Sequence, residues 1–303
     1  MADSNMVVSL QPPAKINLIL KVLDRLPNGY HHLWSLMHTI ELEDELEIRL
    51  NPHSDKVTLL CQGQGLPDGR ENLVHRAAEL MLNQVEAKVG VDIVLRKQIP
   101  VGAGLGGGSS DAAATMLGLN RLLGLGWSGE KMAALGQTLG SDIPFFFAPP
   151  SAIVQGWGQK VVPIRMNGMR WIVLVNPGFP IETQVAYQHL DRARKCVEPL
   201  PGCLSGIDPS LPLSWEDIIP LMENDFESVL LPLYPVLSQV KLGLLKAGAE
   251  GALVSGSGAT VFGVFRHEEA AVKAKMGLGG TSGRLAYIVR ASSGEPPGGA
   301  SLR

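Results

Sequence analysis

A period of two governs the first apolar stretch of the chain. Ile16, Leu18, Leu20 and Val22 alternate with Lys15, Asn17, Ile19 and Lys21. That spacing predicts a strand over 14–22, with one apolar face and a wet face carrying Lys15 and Asn17 side by side. Leu46, Ile48 and Leu50, set between charged residues, predict a second strand, and 57–61 a third. At 72–89 the period lengthens, with Leu73, Ala77, Leu80 and Met81 on one face of a helix. Alternation returns at 91–97. Beyond a glycine-rich segment, Ala112, Met116, Leu119 and Leu123 mark a long helix closed by Gly124. Met132, Leu135 and Leu139 mark another, ended by Gly140. Ser141-Asp142-Ile143-Pro144 reads as a turn and Phe145–Phe147 as the start of a buried strand.

The second half repeats this mixture. Trp171–Val175 is a buried strand, 199–212 a loop, and 222–229 and 235–247 are helical. A strand at 252–254 runs into Ser255-Gly256-Ser257-Gly258, and alternation over 260–265 gives one more. Residues 292–303 read as a disordered tail. Interspersed helices and strands without an internal repeat predict a mixed α+β class.

Length points to two domains, because single cores stop growing near about 250–300 residues. The boundary is expected near 165–170, giving 1–165 and 166–291, where Asn167-Gly168 makes a turn. A net charge of -3 argues against a nucleic-acid partner. No run reaches the roughly 18 apolar residues of a membrane span. The first residues lack the basic and apolar regions of a secretory signal. Cys61, Cys196 and Cys203 are odd in number and fit no zinc or redox spacing. A cytoplasmic protein with reduced thiols is expected.

The chemistry concentrates in Pro100-Val101-Gly102-Ala103-Gly104-Leu105-Gly106-Gly107-Gly108-Ser109-Ser110-Asp111. A strand, a glycine-rich turn and a helix start make an anion site, because the orphan N–H groups and the helix dipole favour negative charge. The hydroxyls of Ser109 and Ser110 could cap the helix or meet phosphate. No Gly-Lys-Ser/Thr follows, so this is not a P-loop. Gly102, Gly104 and Gly107 match GxGxxG, but no carboxylate stands about 20 residues on, as a Rossmann unit requires. A dinucleotide oxidoreductase and a catalytically silent binding module remain the remote alternatives.

Pro13-Ala14-Lys15-Ile16-Asn17-Leu18, the loop from Pro100 to Ala113, and Ser255-Gly256-Ser257-Gly258-Ala259 occur in an order that resembles the GHMP kinases. Gly29-Tyr30-His31, Lys97-Gln98-Ile99-Pro100 and Gly140-Ser141-Asp142-Ile143-Pro144 sharpen the likeness. They resemble the branch whose acceptor is a cytidine-diphosphate ester of methylerythritol, phosphorylated on its 2-hydroxyl in non-mevalonate isoprenoid synthesis. The resemblance covers about 13–289.

It implies an N-terminal domain like ribosomal protein S5 domain 2 and a ferredoxin-like C-terminal domain. ATP, accompanied by Mg²⁺, would lie on Pro100, Gly102, Gly104, Leu105, Gly106, Gly107, Gly108, Ser109 and Ser110, with adenine near Asn72, Leu73 and Lys97. The small-molecule cytidylyl acceptor would meet Asn17, Tyr30, His31, Thr183, Tyr187, Gly256, Ser257 and Gly258. Asp142 would be the base and Lys15 its cationic partner. Tyr187 stands where relatives often carry phenylalanine. No metal ligand is assigned, and the oligomer expected is a monomer or weak homodimer. Position alone leaves plainer readings open: a turn carboxylate for Asp142, a turn histidine for His31, an ordinary strand–turn for 255–258. Asp111 would repel phosphate if it faced inward, so it is expected to turn outward. Another alcohol kinase of the same superfamily is the nearest alternative.

Overall fold

The structure, a computed structural model, describes residues 6–292 except 28, 64–65, 86–87, 195 and 280–283. All but the first residue of the expected tail lies outside the described residues. The first half comprises strands β1 (Val7–Leu10), β2 (Pro13–Arg25), β3 (His31–Glu43), β4 (Glu45–Asn51), β5 (Val57–Gln62) and β6 (Gly90–Arg96), with helix α1 (Leu73–Gln84) between the last two. Helices α2 (Gly107–Leu122) and α3 (Gly129–Gly136) follow, then β7 (Ser151–Gly156) and β8 (Lys160–Pro163). The second half runs β9 (Met166–Asn167), β10 (Trp171–Asn176), α4 (Thr183–Ala193), α5 (Gly202–Ser205), β11 (Leu213–Ser214), α6 (Trp215–Ile218) and β12 (Glu223–Asn224). It ends with α7 (Glu227–Leu233), α8 (Pro235–Lys246), β13 (Gly251–Val254), β14 (Val261–Phe265), α9 (Glu268–Gly279) and β15 (Leu285–Arg290).

Two sheets build the first half, in the orders β1-β4-β6-β5 and β12-β2-β3-β7-β8. Helix α2 lies between them, close enough to β4 that a Cβ on Gly118 would stand 2.5 Å from Ile48 Cδ1. The sheet of the second half has the order β13-β14-β10-β15 and is antiparallel throughout. With α4 to α8 and α9 as crossovers, this is the ferredoxin-like arrangement the resemblance implies. The halves are stitched together, because β12 of the second pairs in parallel with β2 of the first.

The wet face expected for 14–22 is overturned. Lys15, Asn17 and Lys21 are all buried. The strict alternation is also broken. Asn17 pairs with Met37 but Ile19 with Leu36, so a bulge at Leu18 reverses the faces. Lys15 and Asn17 therefore share a face with Leu20, while Lys21 turns away to Glu223 and Asp225, 2.7 Å from each.

The helix expected to end at Gly140 stops at Gly136, the loop expected over 199–212 contains α5, and three further expectations fail for local reasons. Residues 143–147 form a 3₁₀ turn and no strand, with Pro144 in its first turn, where the missing N–H costs nothing. The helix expected from 222 starts at Glu227, because Glu223–Asn224 is taken by the sheet. Helix α1 stops at Gln84, short of 89.

Candidate active site

A cleft of about 1090 Å³ opens between the halves. The glycine loop lines it at one end, Lys15 and Asn17 line it from β2, and aromatic side chains from several segments line the rest. Gly102, Gly104 and Gly106 have φ of +63°, +76° and +69°, values L side chains rarely adopt. Close packing adds a second reason. A Cβ on Gly104 would stand 2.0 Å from the Ser255 carbonyl oxygen, and one on Gly106 2.9 Å from Lys15 Cγ. At these two positions the missing side chain makes room for protein rather than for phosphate.

The loop is tied down from both halves. Lys15 N–H donates to Leu105 O at 2.9 Å, and Ser255 Oγ donates to Gly104 O at 2.9 Å. Gly106 opens α2 without a side-chain cap, and Ser110 N–H bonds back to Gly106 O at 3.0 Å. The N–H groups of Gly107, Gly108 and Ser109 precede that first helical bond, in residues that line the cleft, which suits a phosphate. Ser110 does not join them. Its hydroxyl is buried without a hydrogen-bond partner and packs in a small apolar recess with Leu10 and Ala113.

Asp111 turns inward, against expectation, and is buried. Its Oδ2 accepts from Lys97 Nζ at 2.7 Å, and Lys97 also bonds Asp44. Asp44 Oδ1 accepts from the N–H groups of Gln98 and Ile99 at 2.5 and 2.9 Å. Three buried ionisable groups thus tie the segment entering the glycine loop to the helix leaving it. Lys97 lines the cleft beside Asn72 and Leu73, but its ammonium is held by protein. Asn72 caps α1 through Val74 N–H and donates to Cys61 Sγ at 3.3 Å. Burial pushes the Asp111 carboxyl up to about 8, with the Lys97 charge opposing and the Asp44 charge assisting.

Lys15 Nζ donates to Asn17 Oδ1 at 2.7 Å and lies 3.5 Å from Asp142 Oδ2. Asn17 Nδ2 donates to Ser35 Oγ at 2.9 Å, and that hydroxyl donates to Ile19 O at 2.7 Å. This relay fixes which end of the amide meets the lysine. Asp142 precedes the 3₁₀ turn but makes no side-chain capping bond, so the turn-carboxylate reading loses its support.

Tyr30, His31, Trp157, Tyr187 and Phe226 gather at the other end. His31 stacks on Tyr187 with centroids 4.7 Å apart, and its Nε2 lies 2.7 Å from Asp191 Oδ1. Tyr187 meets Phe226 edge-on at 4.9 Å. Burial, then the charges of Asp142 and Asp191, raise the Tyr187 phenol above its usual range. Thr183 Oγ1 and Ser257 Oγ, in residues that line the cleft, lie 2.9 Å apart. Asn224 Nδ2 donates to Val254 O and Gly256 O at 2.8 Å each, steadying the turn that carries Gly256, Ser257 and Gly258. Every residue expected at the site lines this cleft except Ser110. Sequence reasoning missed Asp44, Ser35, Trp157, Asp191, Asn224 and Phe226. None belongs to a local motif, and their neighbours across the fold give them meaning.

Family models for the GHMP kinases N terminal domain and the GHMP kinases C terminal match residues 72–148 and 210–278. Together with the two-half fold and the glycine loop, this makes the chain a GHMP kinase. A 4-diphosphocytidyl-2-C-methyl-D-erythritol kinase of Geobacter sulfurreducens is 42% identical over 268 residues, 88% of this chain and 93% of that one. The like-named protein of Syntrophus aciditrophicus is 41% identical, over 94% of this chain and 99% of its own. A crystal structure of 4-(cytidine 5'-diphospho)-2C-methyl-D-erythritol kinase superposes with a TM-score of 0.75 at 33% identity, covering 94% of this chain and 99% of that one. The chain belongs to the 4-diphosphocytidyl-2-C-methyl-D-erythritol kinase family. A homoserine kinase of Cytophaga hutchinsonii also gives a TM-score of 0.75, but at 20% identity it shares the fold alone.

Proposed function

We propose that this chain transfers the γ-phosphoryl group of ATP to the 2-hydroxyl of 4-diphosphocytidyl-2-C-methyl-D-erythritol, a step toward isoprenoid precursors. The observation that carries the reading is the Lys15–Asp142 pair at 3.5 Å, in one cleft with an anion-binding helix start and an aromatic pocket. Phosphoryl transfer asks mainly for positioning and charge neutralisation. The N–H groups of Gly107 to Ser109 receive the phosphates. Asp142 accepts the proton of the acceptor hydroxyl as its oxygen bonds the γ-phosphorus and the bond to the β–γ bridging oxygen breaks. ADP leaves with that oxygen. Lys15, held by Asn17, orients Asp142 and faces the charge that develops between them.

Mg²⁺ belongs to the proposal only as the ion that arrives on the triphosphate. Among the described residues no group of three or more His, Cys, Asp or Glu could hold a metal by itself. Magnesium is commonly held by substrate phosphates, water and one or two carboxylates. On the same reading the partners are small molecules, the setting cytoplasmic, the oligomer a monomer or weak homodimer, and the domains 1–165 and 166–291. No single helix among the described residues is long and apolar enough to cross a membrane.

The test is ADP release from the purified protein with the cytidylyl methylerythritol, homoserine, mevalonate and galactose in parallel. Turnover with the first alone is expected. Equal turnover with an acceptor lacking the cytidine would return the chain to an unspecified alcohol kinase.

A further inference from the structure

The β7–β8 hairpin reaches the cleft through Trp157, which no motif in the sequence singles out. Its indole is half-buried, lines the cleft, and stands 5.4 Å from the Tyr30 ring, centroid to centroid, at a tilt of 37°. That separation lies within the range over which aromatic pairs attract. Tyr30 keeps 56% of its surface exposed, so much of its ring is open to a ligand.

The hairpin tip is constrained. Gly156 and Gly158 have φ of +73° and +115°, and Trp157 N–H donates to Gln159 Oε1 at 2.7 Å. A Cβ on Gly158 would stand 2.4 Å from the Ser141 carbonyl oxygen. The tip is therefore wedged against the turn that carries Asp142. An indole fixed there sets the position of the Tyr30 ring relative to the proposed base. The other aromatic group of the cleft is held differently, with Tyr187 stacked on His31 and edge-on to Phe226.

We propose that Trp157 is an acceptor-binding residue which, with Tyr30, forms one aromatic wall of the base pocket and selects acceptors carrying a flat heteroaromatic base. The proposal rests on the kinase reading above and adds a residue that reading does not use. Its physical basis is pre-organisation. An exposed tyrosine alone loses rotamer freedom when a base stacks on it, whereas one already packed on an indole loses less. A base held against that wall also lies at a set distance from Asp142, because the same hairpin touches both.

The test compares Trp157→Leu, which keeps apolar bulk without a π face, with Trp157→Phe, which keeps the face. In Trp157→Leu the acceptor KM should rise about five- to a hundredfold, the range to which base–aromatic stacking converts. The ATP KM and kcat should stay within about twofold, and Trp157→Phe should recover most of the loss. CDP, used as a binding probe, should quench indole emission in the wild type. That quench should vanish in Trp157→Phe, although Trp34, Trp127, Trp171 and Trp215 remain. A normal acceptor KM in Trp157→Leu, with the wild type active on the cytidylyl acceptor, overturns this proposal and leaves the kinase reading standing. So does CDP binding without a quench, which still decides the matter if the leucine variant unfolds. A wild type that neither binds CDP nor turns over the acceptor overturns both.

Discussion

The two ends of the cleft are built from different materials. At the proposed donor end the lining comes from backbone: N–H groups at the start of α2, glycines pressed against Ser255 and Lys15, and the buried Asp44–Lys97–Asp111 cluster behind them. At the proposed acceptor end it comes from side chains of separate segments, namely Tyr30 and His31, Trp157, and Tyr187 with Asp191. At Gly104 and Gly106 the backbone leaves no volume for a Cβ, so a single added side chain disrupts it. A side-chain site loses one contact at a time. The donor end should therefore fail abruptly and the acceptor end by degrees.

Gly106→Val should give the largest effect because it strikes both the loop and Lys15. The new Cβ would meet Lys15 Cγ at 2.9 Å and Cε at 3.0 Å, at a φ that valine resists. Turnover should fall by about 10³-fold or more, as when oriented N–H donors are lost, while circular dichroism shows a folded chain. Near-normal turnover would mean that the loop is not the donor site. Asp142→Asn comes next. It keeps shape and removes the proton acceptor, so kcat should fall about 10²- to 10⁴-fold with the ATP KM unchanged. If single-turnover kinetics show an intact chemical step, Asp142 is not the base. Tyr30→Ala should cost less, raising the acceptor KM about ten- to a hundredfold and sparing the ATP KM. An abrupt loss of all activity in Tyr30→Ala would break the contrast between the two ends.

The same contrast explains what could be read from the sequence. The glycine loop and its helix were legible because such a loop writes itself locally as glycines followed by a helical period. Lys15 and Asn17 were legible as neighbours on a strand, but their burial was not. It depends on the glycine loop and the 255–258 turn, which close over them from distant parts of the chain: a Cβ on Gly106 would stand 2.9 Å from Lys15 Cγ and one on Gly256 3.3 Å from Asn17 Oδ1. The bulge at Leu18 was equally hidden, since an alternating run says nothing about its partner's register. Tyr30 and His31 stood out beside a turn signal, whereas Trp157 did not, because its meaning lies in a ring brought from another strand. The outward Asp111 expected from phosphate repulsion fails because Lys97, which also holds Asp44, closes around it only in the fold.

Asp111 also supplies the smallest and most diagnostic test of the donor end. Its carboxyl is buried with one cation and one further carboxylate, and its Oδ1 has no hydrogen-bond partner. Desolvation raises its pKa from 3.8 to about 8. Between those two values the folded chain keeps a proton that the unfolded chain has released. The unfolded state then binds fewer protons, so stability must fall as pH rises through that window. Asp111→Asn mimics the protonated carboxyl and cannot ionise. At pH 7 it should change stability by no more than about 1 kcal/mol, a small polar rearrangement. An ionised Asp111 paired with Lys97 would instead lose about 3–5 kcal/mol on the same substitution, because a buried ammonium would lack its partner. Urea midpoints between pH 6 and 9 separate the two. The wild type should weaken toward alkaline pH, the variant should show a flatter profile, and the ATP KM should follow the same pattern because the cluster anchors both flanks of the glycine loop. A large loss at pH 7, with an unchanged pH slope, would show that the donor loop rests on an ion pair and not on a shared proton.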